Sequence, residues 1–178
     1  MPRPLLGLLI ALPLVGCTGL PKGTQAVSGF DLEHYLGSWY EIARLDHRFE
    51  RGLDCVTADY SRREDGQIRV LNRGVDLDTG AVNEAEGRAR PAGNDGEGRL
   101  KVSFFGPFYG GYNVLALDDD YQWSLVAGPS RDYLWILART PTLEAATYAA
   151  LVDEANALGF PVEALIEVEQ GDACAPFR

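Results

Sequence analysis

Eight short stretches of this chain alternate apolar and polar residues with a period of two, separated by residues that favour turns. That period belongs to half-buried strands, whose successive side chains point to opposite faces. The stretches run about 38–45, 56–61, 67–77, 81–90, 99–105, 111–117, 121–127 and 133–139, with Glu64-Asp65-Gly66, Asp78-Thr79-Gly80 and 94–98 among the turns. Such short connections make sequential strands antiparallel neighbours, and eight of them suit an up-and-down β-barrel. After Pro141 the period lengthens. Leu143, Ala146, Ala150, Leu151, Ala155 and Leu158 share one helical face, with Thr142 as N-cap and Gly159 as terminator. The polar face of that helix carries no Lys or Arg, so it packs on the outside of the barrel rather than on a membrane. Residues 162–168 add a short final strand. The expected fold is therefore all-β: an eight-stranded antiparallel barrel with a C-terminal α-helix outside it, over residues 30–178, with no second domain.

Alternation also assigns faces. Val56, Ala58 and Tyr60 fall on one side of their strand, as do Ile68, Val70 and Asn72, and Leu100, Val102 and Phe104. In the fourth strand Asn83, Ala85, Gly87 and Ala89 share the inner side, against Glu84, Glu86 and Arg88 outside. An eight-stranded barrel can pack solid or hold one small ligand, and this row of small residues favours the ligand. Tyr60, Tyr112 and Trp135 each combine an apolar ring with a polar handle that can meet a head group, although simple core packing accounts for inward aromatics equally well. Asn72 is an amide on an apolar face and needs partners.

The stretch Gly37-Ser38-Trp39-Tyr40-Glu41-Ile42-Ala43-Arg44, with Arg139-Thr140-Pro141 after the last hairpin, resembles the lipocalins. The block from about residue 30 to 170 is most similar to the bacterial lipocalins and more distantly to animal apolipoprotein D. The resemblance implies that Gly37, Trp39 and Arg139 are structural markers, the Arg139 guanidinium stacking on the Trp39 indole to close the barrel floor. It also implies that Tyr60, Asn72 and Trp135 line a ligand pocket. Segment 46–54 would arch over the open end. Its Arg48 and Arg51 are either a flap that meets a phosphate or carboxylate or part of a solvated, self-paired loop.

At the N-terminus Arg3 precedes an apolar run over 5–15, too short to span a bilayer but suited to a secretory signal. It ends Leu14-Val15-Gly16-Cys17, which resembles the lipobox of bacterial lipoproteins. Residues 1–16 would be the signal peptide, Cys17 the lipidated first residue, and 17–29 a polar tether; the alternative is an ordinary cleaved signal with an incidental cysteine. More than one acyl chain on Cys17 would anchor the chain stably. Thr18, not Asp, follows the cysteine, so the lipoprotein sorting rule implies the outer membrane; the anchored chain is expected to face the periplasm. Two cysteines remain, Cys55 and Cys174. An even pair in an exported chain suggests a disulfide, and apolipoprotein D has a pair at the matching places; two free thiols are the alternative.

The formal charge is −10, and loss of residues 1–16, whose one charged residue is Arg3, makes it −11. Such a body disfavours nucleic acid and broad adhesion to anionic surfaces. The only histidines, His34 and His47, have no partner at metal-ligand spacing, and no Gly-x-Ser-x-Gly elbow exists. Gly106 to Gly111 lacks the Lys and helix of a phosphate loop and suits a hairpin. The chain is thus expected to be a carrier without catalytic residues, metal or cofactor. As a bacterial lipocalin it would bind, store or transport fatty acids or lysophospholipids during envelope maintenance or stress, with a homodimer as a further option. Two other readings stay open: a different hydrophobic cargo such as a pigment or isoprenoid, or an anchored interaction module with an incidental cavity.

Overall fold

The computed structural model describes residues 18–177, so the proposed signal peptide and Cys17 lie outside the described residues. A four-residue helix α1 (Leu32–Tyr35), capped by the Asp31 side chain on the Glu33 amide, leads into β1 (Gly37–Leu45). Seven strands follow: β2 (Asp54–Arg62), β3 (Ile68–Asp76), β4 (Ala81–Pro91), β5 (Arg99–Ser103), β6 (Gly110–Leu117), β7 (Trp123–Ala127) and β8 (Leu134–Ala138). Each pairs antiparallel with the next, β8 returns to β1, and β1 also pairs with β2, so the sheet closes. After α2 (Ala145–Ala157) the short β9 (Leu165–Glu167) adds to the other edge of β1.

All eight expected strands are present, within a few residues of their expected ends. The helix differs at its start. It begins at Ala145 behind Glu144, which makes no side-chain cap, while the Thr142 carbonyl accepts a bond from the Thr140 hydroxyl and belongs to the preceding turn. Gly159 ends it as expected, at φ +80°.

Apolar side chains form two main layers. The outer one packs α2, through Leu151 and Ala155, on Ala43, Leu45, Leu125, Leu134 and Ile136 of the barrel wall. The inner one fills the barrel's lower half with Tyr35, Trp39, Tyr60, Ile68, Val70, Leu100, Val126 and Leu137. At that end Arg139 lies with its guanidinium carbon 3.9 Å from the Trp39 ring centre. It donates to the carbonyls of His34, Ser38 and Tyr121, tying α1, β1 and the β6–β7 turn into a floor. Gly37 serves the same junction: its φ is +96°, and a Cβ there would come within 3.3 Å of Arg139 Nη1.

The segment expected as a tether is instead laid along the barrel. Val27 bridges the separating edges of β5 and β6, donating to Val114 O and accepting from Gly98 N, and Phe30 N donates to Gly96 O. Its polar composition hid this, because its own main chain makes most of the bonds, to barrel carbonyls and amides and to the side chains of Asn113 and Arg131.

Cys55 and Cys174 form a disulfide across 119 positions, fastening the C-terminal tail to β2. Closing so long a loop stabilises by about 4–5 kcal/mol at most in the chain-entropy account. Cys55→Ser with Cys174→Ser should therefore lower the urea-unfolding free energy by up to about that amount while leaving the far-UV spectrum of the barrel unchanged.

Candidate ligand cavity

With the floor sealed, the barrel opens at the opposite end, among loops 46–53, 77–80, 104–109 and 128–133. β4 pairs with β5 only from Arg88 to Pro91, because β5 ends at Ser103. The first half of β4 therefore has no β5 partner, and a notch opens in the wall. Ala85 and Asn83, on its inner face, are exposed through that opening, whereas Ala89 deeper down is buried. Gly87 lies between them, and a Cβ there would meet the Phe104 ring at 2.9 Å. The small inner row thus makes space at the mouth and seats an aromatic below it.

Four residues named from the sequence converge on this interior. The Tyr60 hydroxyl donates to that of Tyr112 at 3.0 Å, and Tyr112 shares a 2.7 Å bond with Tyr35, whose hydroxyl also contacts Ser124 Oγ at 3.1 Å. Burial pushes the Tyr35 hydroxyl up to about 12 and raises Tyr60 and Tyr112 well above the usual tyrosine value, so all three stay neutral. Their hydroxyls bond one another at the base of the cavity. Phe104 packs on the same cluster. Asn72, between Ala58 and Ala85 on the inner face, has a buried Oδ1 with no donor. Such an acceptor is costly unless water or a ligand reaches it.

Trp135 is also inside, but its polar handle is already engaged: Nε1 donates to Glu50 Oε2 at 3.1 Å. Glu50 comes from loop 46–53 and belongs to a buried charged cluster that alternation alone does not reveal. A bulge in β1 between Glu41 and Ala43 breaks the period. Glu41 then opposes Leu137, and Arg44 opposes Trp135, so both point inward. Arg44 Nη1 donates to Glu41 Oε1 at 2.8 Å, and its Nη2 donates to the carbonyls of Glu50 and Leu53, each at 2.9 Å. His47 Nε2 lies 3.0 Å from Glu50 Oε2, with its ring edge-on to Trp135 at 5.2 Å.

The guanidinium thus pairs with the Glu41 carboxylate, while the Glu50 carboxylate is met by His47 and Trp135. Burial and the adjacent Glu50 charge push the Glu41 carboxyl well above its usual range despite Arg44. Burial would raise Glu50 too, but the bonds and charge from His47, the Trp135 bond and the Arg44 charge outweigh it and hold Glu50 low. Arg48 and Arg51 stand outside this cluster. Arg51 is exposed and paired with Asp46 at 2.7 Å, and exposed Arg48 lies over the Phe49 ring. Of the three arginines, Arg44 is the one buried on the inner face.

A closed eight-stranded barrel, an Arg-on-Trp floor and a single mouth accord with the family match: the lipocalin-like domain model covers residues 30–170. The chain belongs to the lipocalin family. It is 55% identical over 153 residues to the outer membrane lipoprotein Blc of Citrobacter freundii, covering 86% of each chain. It is 53% identical over 150 residues to the Blc of Escherichia coli K12, covering 84% of this chain and 85% of that one. Mouse apolipoprotein D is 33% identical over 156 residues, covering 83% and 80%. Among solved structures, insecticyanin of Manduca sexta superposes with a TM-score of 0.70 at 23% identity, covering 88% and 89%, and supports the fold.

The cluster makes two predictions. Arg44→Met leaves Glu41 buried without its counter-ion and two loop carbonyls without a donor. It should cost about 3–5 kcal/mol in urea unfolding and shift Trp135 emission as loop 46–53 comes free. Glu50, held below its ordinary value of 4.5, contributes stability that is complete above that pH and lost as pH falls through the folded value. Glu50→Gln should therefore flatten the acid limb of the stability curve, read from urea midpoints at about pH 7 and about pH 3.

Proposed function

We propose that this lipocalin is a lipid carrier, anchored to the outer membrane through Cys17 and facing the periplasm, that binds fatty acids or lysophospholipids in its barrel. The observation that carries this reading is the unpaired Asn72 Oδ1 beside the small inner row of β4, in a cup open at one end. An acyl chain can lie along Ala58, Ala85 and Phe104, while a head-group donor meets Asn72 and the charged cluster at the mouth. Pockets of this kind combine apolar lining with a few placed polar groups. The Leu14-Val15-Gly16-Cys17 sequence and relatives named outer membrane lipoproteins support the anchor. Among the described residues, no group of three or more His, Cys, Asp and Glu could hold a metal, and the buried Tyr hydroxyls bond one another. A carrier needs no more than this. A role in envelope maintenance or stress follows from such cargo.

The organic extract of purified protein, analysed by mass spectrometry, should contain fatty acid or lysolipid; another apolar compound would change the cargo, and an empty barrel would favour an interaction module. Lysophospholipid should change tryptophan emission and saturate at one ligand per barrel, and Trp135→Phe should remove most of that change. Tyr60→Ala should weaken binding by about 1–3 kcal/mol through lost contact. Ala85→Phe should shorten the longest acyl chain accepted while leaving the fold intact. A mature protein that binds no fatty acid or lysolipid at micromolar concentration would overturn the carrier reading.

A further inference from the structure

The chain carries its cations unevenly. On the outer wall, Arg69 and Arg73 of β3 are paired with Glu86 and Glu84 of β4, and Arg62 with Glu33. Arg88 and Arg90 of β4 and Lys101 of β5 have no carboxylate within salt-bridge reach among the described residues. All three instead converge on the Tyr109 ring, at 5.9, 5.1 and 5.9 Å from its centre. Tyr109 belongs to loop 104–109, whose Phe105 and Phe108 are 73% and 78% exposed. This is the one loop at the open end without an acidic residue; the others hold Asp46 and Glu50, Asp78, and Asp132. In a protein of charge −10, a cluster of unpaired cations beside two exposed aromatic rings needs an explanation.

The start of the described chain lies beside the same spot. Gly111, opposite Lys101 across β5–β6, has no side chain because the backbone passes over it: a Cβ there would sit 2.9 Å from Gly19 O and 3.2 Å from Thr18 O. Asn113 Nδ2 holds Gly19 O at 3.1 Å, and also donates to Gly128 O at 3.1 Å in the β7–β8 loop. Cys17 is one peptide bond beyond Thr18, so its Cα lies about 3.8 Å from that of Thr18 in any conformation with a trans bond. Because residues 19–30 are laid on the barrel, the segment gives little slack between an acyl group on Cys17 and the rim.

We propose that the barrel stands mouth-down on the membrane that anchors it, with Phe105, Phe108 and Tyr109 in the interface and Arg88, Arg90 and Lys101 on anionic lipid head groups. The proposal rests on the lipid-anchor reading of Cys17. Aromatic rings with cations suit the head-group region, and each cation near an anionic surface strengthens attachment about fivefold. The notch beside β4 then opens against the bilayer, so a lipid tail passes between membrane and cavity without crossing water. The acidic remainder of the molecule is repelled and stays upright.

The test uses the mature lipidated protein in phosphatidylcholine vesicles made with and without phosphatidylglycerol. Phe108→Cys and Glu64→Cys, the latter in the β2–β3 turn at the closed end, each carry a bimane label, and doxyl-lipids act as bilayer quenchers. Mass spectrometry of the protein first establishes the acyl groups on Cys17. With phosphatidylglycerol present, quenching at 108 should exceed that at 64 severalfold. Arg88→Gln, Arg90→Gln and Lys101→Gln together, or omission of phosphatidylglycerol, should remove most of that excess while the protein still sediments with the vesicles. Equal quenching at both positions, or more at 64, overturns the orientation. An excess at 108 indifferent to the three charges and to phosphatidylglycerol overturns the head-group assignment. A chain without acyl groups on Cys17 overturns the anchor reading instead, and with it the premise of the proposal.

Discussion

The barrel has a function only because one of its ends is shut, and the contact that shuts it is Arg139 lying on the Trp39 indole. A guanidinium on an aromatic face contributes about 0.5–2 kcal/mol by itself, but here the same group also bonds three carbonyls from α1, β1 and the β6–β7 turn. The Trp39 indole in turn donates to Tyr35 O at 2.9 Å, so the lid residue Tyr35 cannot swing away. Everything apolar below the middle of the barrel packs against this plug. What remains above it is a cup, and every consideration about ligand, access and membrane is a consideration about its mouth.

The mouth is organised by a second arginine. Arg44 is buried in the wall, and by bonding the carbonyls of Glu50 and Leu53 it fixes the arch of loop 46–53. That arch delivers Glu50 to Trp135 and His47. Burying charge is expensive unless the partners are supplied; Arg44 pairs with Glu41 and His47 stands against Glu50, with Glu41 raised by burial and Glu50 held low. The interior thus passes from neutral hydroxyls at the base, through an apolar zone holding the unpaired Asn72, to charge at the rim. An amphiphile with its tail inward matches that gradient.

Outside the barrel, pairing of charges separates wall from rim. The β3–β4 face neutralises itself through cross-strand pairs, a common way of keeping a sheet surface soluble. The β4–β5 face beside loop 104–109 does not, and it is where the N-terminal segment arrives. Closed floor, open notch, unpaired cations and anchor exit therefore share one axis.

Much of this was legible in the sequence, because alternation is a local property: it marks eight strands and places Tyr60, Asn72 and Phe104 inside without knowing any partner strand, while Tyr112 was singled out by its polar handle and Trp135 by the lipocalin resemblance. Short turns then dictate the order of pairing. The Gly37, Trp39 and Arg139 pattern added the floor, and the cysteine count the disulfide. Only the tertiary structure could decide the rest. One extra residue in a bulge at Ile42 turns Arg44 from outside to inside, and nothing in the pattern of hydrophobicity announces a bulge. Arg48 and Arg51 read as flap cations because sequence shows charge but not direction; the loop's backbone is held from below by Arg44, which leaves them facing water. The polar stretch 19–29 read as a tether because its main-chain groups are what the barrel bonds, through Val114, Gly98, Asn113 and Arg131, and such groups leave no trace in composition. Arg88, Arg90 and Lys101 lie on two strands and meet only when β4 and β5 pair beside Tyr109. Local periodicity determined the barrel; distant contacts determined what its mouth presents.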